Sequence, residues 1–522
     1  MTRTSGKWCS LRAVRAGPNV LLIMADQLAA GWLPSYGHGI VQAPNLTALA
    51  EAASVFENAY CASPLCAPSR SALLSGRLPS RTGVFDNAAE MPSSLPTVTH
   101  QLRARGLSSC LAGKMHFVGP DQLHGFEERL TTDIYPADLS WTPDWRLAPS
   151  ERLPWYHTME SVMRPGVVTA SMQQDYDDEV AFHAVRKLHD LARSGPDRPF
   201  FLCVSFTHPH DPWELRARYW DRYDADAIEP PAVGPVPLDE ADPHSRRLRR
   251  MCGADEVEPT EAEVRRARHA YYAAISYMDE RVGEVLGALR DTGLDDGTVI
   301  VFTADHGELL GEKGLWYKMS FLDPAARVPL IVRAPDTDPQ RIAAPVSLLD
   351  LAPTLVELAG AEPELDGDGT SLAPLLSGST RTAPVLAEYL AEGVTAPAVM
   401  VRRGAHKLIV CPGDPDQLYD LDADPSELTN LAGDPRCDAI LAELRAKVEW
   451  RWDLPALERR VLASQRERRL VVRALDRGAF TPWDFTPDAD GSHRYVRTRT
   501  DLYQLQRRAR LDAPAPAHEA SS

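Results

Sequence analysis

Four apolar runs of strand length punctuate the chain, at residues 18–25, 108–117, 199–207 and 298–304, and between them apolar residues recur every three or four positions. The clearest such stretch, Tyr271 to Leu289, puts Ile275, Met278, Val282, Val285, Leu286 and Leu289 on one helical face. Strands that are apolar throughout, rather than alternating, are buried on both sides. The pattern therefore predicts an α/β fold with a mostly parallel central sheet flanked by helices. Past about residue 380 the rhythm changes to short strands, Val399 to Arg403 and His406 to Cys411, then a turn-rich run from Leu418 to Pro425 and helices. The expected division is a disordered extension (1–17), a main domain (18–380), a smaller C-terminal α+β subdomain (381–477) and an extended aromatic tail (478–522). Residues 224–260, rich in Pro, Asp and Glu, read as a long surface insertion.

Two of the buried strands run into carboxylates, Asp26-Gln27 and Asp305-His306. Ligands of open α/β sheets sit at the carboxyl ends of the strands, so the fold would deliver both aspartates to one place. Two carboxylates and the amide oxygen of Gln27 suit a hard divalent cation, although a strand-terminal Asp more often caps the next turn. Lys114 and His116 alternate along the expected strand from Ser109 to Phe117, which would turn both to one side. The strand from Pro199 to Thr207 leads into His208-Pro209-His210-Asp211-Pro212, another imidazole at a strand terminus. Trp141, Trp145, Trp155 and Tyr156 crowd a Pro-containing loop, as a binding wall or as ordinary packing.

Cys66 lies between Pro64 and Pro68, ahead of good helix formers, so it sits near a helix N-terminus where backbone N–H groups gather around an anion. Arg70 adds a fork of donors for a tetrahedral oxyanion. The run Cys66 to Arg77 meets every fixed position of the signature C-x-P-S-R-x-x-x-L-(S/T)-G-R. It thereby resembles the type I, formylglycine-dependent sulfatases of the alkaline phosphatase superfamily. The resemblance implies that a separate formylglycine-generating enzyme oxidises Cys66 to an aldehyde. One hydroxyl of its hydrate attacks sulfur and expels the alcohol, and the other then eliminates sulfate. It further implies a metal held by Asp26, Gln27, Cys66, Asp305 and His306, calcium first, with magnesium and manganese as alternatives.

Asp26-Gln27 and Asp305-His306 replace the Asp-Asp and Asp-Asn of many sulfatases. These pairs, the runs Gly113 to Glu127, Trp141 to Trp145 and Asp305 to Ser320, and Ser63-Pro64-Leu65 before the cysteine are similar to the choline sulfatase branch. By that resemblance the reaction is hydrolysis of a sulfate monoester, choline-O-sulfate, to choline and sulfate. His210 and Lys318 map onto sulfate-contacting positions, with His210 the first choice for general acid and Lys114 and His116 at the leaving oxygen or nucleophile. A quaternary ammonium donates no hydrogen bond and is held by aromatic faces and a carboxylate. Trp141 and His157, with Glu388 or Glu392, are the expected holders; the sequence does not choose between the two glutamates. The tail from Phe480 to Leu505 is expected to touch a neighbouring subunit, with Asp501 entering its pocket, in a homotetramer.

A formal charge of −17 over 522 residues argues against nucleic acid or an anionic membrane as partner. Eight cysteines without pattern fit a cytoplasmic protein better than a disulfide framework. Two other readings stand beside this one. A phosphonate monoester or phosphodiester hydrolase would share the nucleophile, and an inactive choline-binding protein would keep Cys66 as a thiol.

Overall fold

The structure is a computed structural model that describes residues 17–148, 151–194, 198–477 and 501–512. The extension and most of the aromatic tail lie outside the described residues. The central sheet is built, in chain order, from β1 (Asn19–Ala25), β2 (Ser54–Tyr60), β3 (Ser108–Gly113), β4 (Glu128–Arg129), β5 (Phe200–Ser205), β6 (Thr298–Ala304), β7 (Arg327–Arg333), β8 (Gln340–Ile342) and β9 (Val346–Ser347). Its spatial order is β8-β2-β7-β6-β1-β5-β3-β4, with β9 also on β2. All pairings are parallel except those of β7, which runs antiparallel to β2 and β6. Val20 to Ala25 are fully buried, and each such aliphatic side chain is worth roughly 1.5–3 kcal/mol over exposure. The expected sheet is therefore present, and its centre is the β6-β1-β5 triplet.

Helix α1 (Cys66–Ser75) is buried along its whole length beneath the carboxyl ends of these strands. Helix α2 (Met172–Ser194) and helix α3 (Glu261–Asp291) pack on each other. The latter begins ten residues before the expected Tyr271. A capping box explains it: Glu263 N donates to Thr260 Oγ1 at 3.3 Å and Thr260 N donates to Glu263 Oε2 at 2.7 Å. Its first turns are polar, so periodicity alone did not include them.

The stretch 224–260 is not wholly a surface insertion. It contains the helix Pro243–Cys252, capped by Asp242 and burying Leu248, Met251 and Cys252. A second sheet, β10 (Val385–Tyr389), β11 (Ala398–Arg403), β12 (His406–Val410) and β13 (Gln417–Asp420), is an antiparallel meander. Its last strand lies within the run read as turns. Helices α4 (Asp438–Arg451) and α5 (Leu454–Leu475) follow, and from the tail α6 (Leu502–Ala509) is described. Leu511 and Asp512 pair with the strand Gly166–Ala170 of the same chain. Among the described residues no helix is long and apolar enough to cross a membrane.

Candidate active site

In-register pairing of β1 with β6, ending at Ala25 opposite Ala304, makes the next residues, Asp26 and Asp305, neighbours. Cys66 opens α1 between them, with Sγ 3.2 Å from His306 Nε2 and 3.8 Å from Asp26 Oδ1. His306 Nε2 is also 3.7 Å from Oδ1 of both aspartates. Its other ring nitrogen lies 3.0 Å from the Gly307 carbonyl and so carries the proton, which leaves Nε2 as a lone pair facing two carboxylate oxygens. Acceptors that converge without a proton between them call for a cation, and Asp26, Cys66, Asp305 and His306 form such a group. Burial pushes the His306 imidazolium down to about 4, keeping the ligand form.

Gln27 does not join this group. Its Oε1 accepts from Lys318 Nζ at 2.6 Å and its Nε2 donates to Glu308 Oε2 at 2.5 Å. The backbone at Gln27 is left-handed (φ 61°). Arg70 also departs from expectation. One helical turn past Cys66, it points beneath the site, donating to Asp305 Oδ2 (2.8 Å), Asp26 Oδ2 (3.2 Å), the Lys114 carbonyl (2.6 Å) and Ser205 Oγ (2.8 Å). Its fork is spent on holding the two carboxylates. Burial would raise the Asp26 carboxyl, but Lys114 and Arg70 hold it well below the usual carboxylate range.

Lys114 and His116 do not alternate on a strand, because β3 ends at Gly113. That glycine has φ 107°, and a Cβ there would sit 2.0 Å from the Ser205 carbonyl oxygen, so the chain must turn. Lys114 pairs with Asp26 and lies 4.1 Å over the Tyr135 ring. His116, with φ 54°, is held by a bond from its N–H to Asp133 Oδ2 (2.7 Å). Its imidazole lines a cavity of about 590 Å³, and neither ring nitrogen has a partner among the described residues.

Cys66, His210, Lys318, Trp141, His157, Glu392 and Asp501 line the same cavity. Burial first and then Lys318 push the His157 and His210 imidazolium forms well below their ordinary range, so both rings are neutral. The Trp141 ring is edge-on to His116 (5.9 Å) and stacks on Trp155 at 6.2 Å and 18°. Glu392 is 2% exposed and its Oε2 has no hydrogen-bond partner among the described residues. Burial raises it to about 7. Glu388 lies elsewhere: on β10, it accepts from Ser80 N (2.6 Å), Ser80 Oγ (2.6 Å) and Trp452 Nε1 (2.5 Å). It is a structural anchor, and of the two glutamates Glu392 is the one that lines the cavity. Asp501 caps α6 by accepting from Gln504 N at 3.1 Å.

Tyr135 and Asp211 are site residues that the sequence reading missed. Tyr135 OH is 3.1 Å from His210 Nδ1 and the Asp211 carbonyl 2.7 Å from the same atom. Asp211 stood in the quoted His-Pro-His-Asp-Pro run, whereas Tyr135 lies in a loop without pattern.

The sulfatase family model matches residues 18–361, and the model of the choline sulfatase enzyme C terminal matches residues 459–511. The C-terminal model of N-sulphoglucosamine sulphohydrolase matches residues 311–452. A choline-sulfatase of Rhizobium meliloti is 50% identical over 94% of this chain and 97% of its own length. Arylsulfatase K of Xenopus laevis is 30% identical, over 81% of each chain. Among solved structures, a phosphonate monoester hydrolase of Silicibacter pomeroyi superposes with a TM-score of 0.66 at 24% identity, covering 83% of this chain and 94% of its own, a likeness of fold. A matched catalytic domain, followed by the C-terminal segment that choline sulfatases carry, places this chain in the sulfatase family of sulfuric ester hydrolases.

Proposed function

We propose that this protein hydrolyses choline-O-sulfate to choline and sulfate. The observation that carries the reading is the buried, unpartnered carboxylate of Glu392 in one cavity with the stacked Trp141 and Trp155 and with Cys66. A quaternary ammonium satisfies such a carboxylate by charge and the rings by cation–π attraction, without needing to donate a hydrogen bond. The 50% identical choline-sulfatase supports the same substrate.

Matured to formylglycine by a separate enzyme, Cys66 would supply a hydrated aldehyde as nucleophile. Asp26, Asp305 and His306, together with residue 66, would hold a divalent ion, calcium first among the candidates, which would polarise the sulfate oxygens. The remaining work falls to the chain's own side chains. Arg70 fixes the two carboxylates from below. His116 offers both unpartnered ring nitrogens to sulfate oxygens or to the nucleophile. Lys318, held by Gln27 and His210, carries the proton for the departing choline oxygen. This moves the general acid from His210, our first choice from sequence, to Lys318. The ring of His210 is neutral, its Nδ1 committed to the Asp211 carbonyl and its Nε2 accepting from Lys318. Trp141, His157 and Glu392 receive the trimethylammonium end, and Asp501 stands at the cavity wall. We place the protein in the cytoplasm and retain the expected homotetramer; size-exclusion chromatography with light scattering showing only monomer at micromolar concentration overturns the latter.

The deciding experiment follows sulfate and choline release from choline-O-sulfate by protein co-expressed with a formylglycine-generating enzyme, beside Cys66→Ala. Turnover lost in that variant establishes the reaction. No turnover by protein whose mass shows the aldehyde refutes it, and phosphonate monoesters and phosphodiesters are then the substrates to test.

A further inference from the structure

Helix α5 does not merely roof the cavity. We propose that Arg468, which does not line the cavity, is a positioning residue for substrate choice: it locks α5 onto the loop that carries Trp141. Its fork is bidentate on the fully buried carboxylate of Asp86, with Nη1 and Nη2 each at 2.7 Å, and Nη1 also donates to Thr142 Oγ1 at 3.2 Å. Thr142 is the residue after Trp141, and its hydroxyl proton is spent on the Leu139 carbonyl at 2.7 Å, so its oxygen is free to accept from Arg468.

Three residues earlier on α5, the 2% exposed Gln465 accepts the backbone N–H of Trp145 through Oε1 at 3.0 Å. Trp145 passes the constraint on, because its Nε1 donates to the Ala391 carbonyl at 2.7 Å, one residue before Glu392. One helix therefore fixes the backbone beside both halves of the cation subsite, the ring of Trp141 and the carboxylate of Glu392. The bidentate geometry suits arginine alone, since lysine offers a point charge and one directed contact. None of these bonds is made to Cys66, His306 or Lys318; the nearest link to the nucleophile is Asn87, the residue after Asp86, which accepts the backbone N–H of Ala67 at 3.0 Å.

The inference rests on the reading that Trp141 and Glu392 hold a quaternary ammonium, and the test separates the two. Steady-state kinetics of the matured full chain, Arg468→Met and Arg468→Lys are measured with choline-O-sulfate and with 4-nitrophenyl sulfate, which has no cation. The expected result is a KM for choline-O-sulfate raised on the order of ten- to a hundredfold in Arg468→Met. Its kcat/KM for the aryl ester should stay within about twofold of that of the matured chain without substitutions. Arg468→Lys should fall between.

Equal losses on both esters in Arg468→Met overturn the inference, because a general packing role moves both. So does an unchanged KM for the choline ester. Should Arg468→Met not fold, Gln465→Met removes the Trp145 anchor without stranding a buried charge and must show the same selective rise in KM; otherwise the inference falls. A matured chain without substitutions that does not favour the choline ester refutes the subsite reading, and the inference with it.

Discussion

The ammonium of Lys318 lies 2.7 Å from His210 Nε2, and the opposite ring nitrogen of His210 lies 2.7 Å from the Asp211 carbonyl. The ring thus donates through Nδ1 and accepts through Nε2. Burial opposes the charge on Lys318, but the carboxylates around it, Asp26 and Asp211, hold it above its ordinary value. The available proton is therefore on Lys318. Lys318→Met should cost the choline ester about 10²–10⁴ in kcat, the usual worth of a general acid. It should cost 4-nitrophenyl sulfate much less, since that leaving group departs without a proton. Equal losses on the two esters would reassign the acid.

Glu388 and Glu392 should separate in the same way. Glu392→Gln removes the negative charge that faces the ammonium end in our reading and should raise KM for choline-O-sulfate roughly 30-fold or more, with kcat changed little. Glu388→Gln leaves a donor facing Ser80 or Trp452 and should lower stability by about 1–3 kcal/mol without altering KM. Thermal melts and Michaelis kinetics on both variants check this.

Glu392 also makes binding depend on pH. Burial raises its pKa to about 7 in the empty cavity, with Asp86 adding to the rise and Lys318 opposing it. Only the carboxylate attracts a cation, so lowering pH through this value protonates it and weakens binding. KM for choline-O-sulfate should climb towards tenfold per pH unit on the acid side. KM for 4-nitrophenyl sulfate should lack this dependence, and Glu392→Gln should abolish it for the choline ester.

The aromatic wall is testable by its size. Trp141→Ala should lose about 0.5–2 kcal/mol of cation–π attraction, or roughly 2- to 30-fold in KM for the choline ester. Competition by free choline should weaken in parallel. A variant whose inhibition by choline is unchanged would place the ammonium elsewhere.

Chelation addresses the metal group. Removing divalent ions should abolish turnover and lower the melting temperature, because a ligand bound only by the folded state stabilises it, by about 2.7 kcal/mol at a hundredfold excess over Kd. Titrating calcium, magnesium and manganese back should restore both readouts and rank the three. Asp305→Asn should lose the calcium-dependent shift in melting temperature even where it still folds.

The scaffold was legible wherever a local pattern coincides with burial. β1, β5 and β6 read directly as apolar runs, and their final residues announced Asp26, His210 and Asp305. The errors arose where a side chain's direction is set by something remote. Lys114 and His116 fit a strand's alternation, but the close approach of Gly113 to Ser205 ends that strand first. Arg70 suited an oxyanion until the helical turn carried it beneath the site. Gln27 carries a suitable oxygen that Lys318 claims. Arg468 and Gln465 look like ordinary polar positions of a surface helix, and only the folded chain shows them buried against a loop more than 300 residues away.

The pairing of Arg468 with Asp86 also sets a clock. The two residues are separated by 382 positions, which a ribosome working at 5–20 residues per second crosses in roughly 20–80 s. Throughout that interval Asp86 has no counter-ion and the wall bearing Trp141 has no roof. Cys66, 1% exposed once the chain has folded, therefore emerges from the ribosome well before the elements that complete the cavity over it. Under the proposed maturation to formylglycine, the modifying enzyme would have its opening while synthesis is still under way.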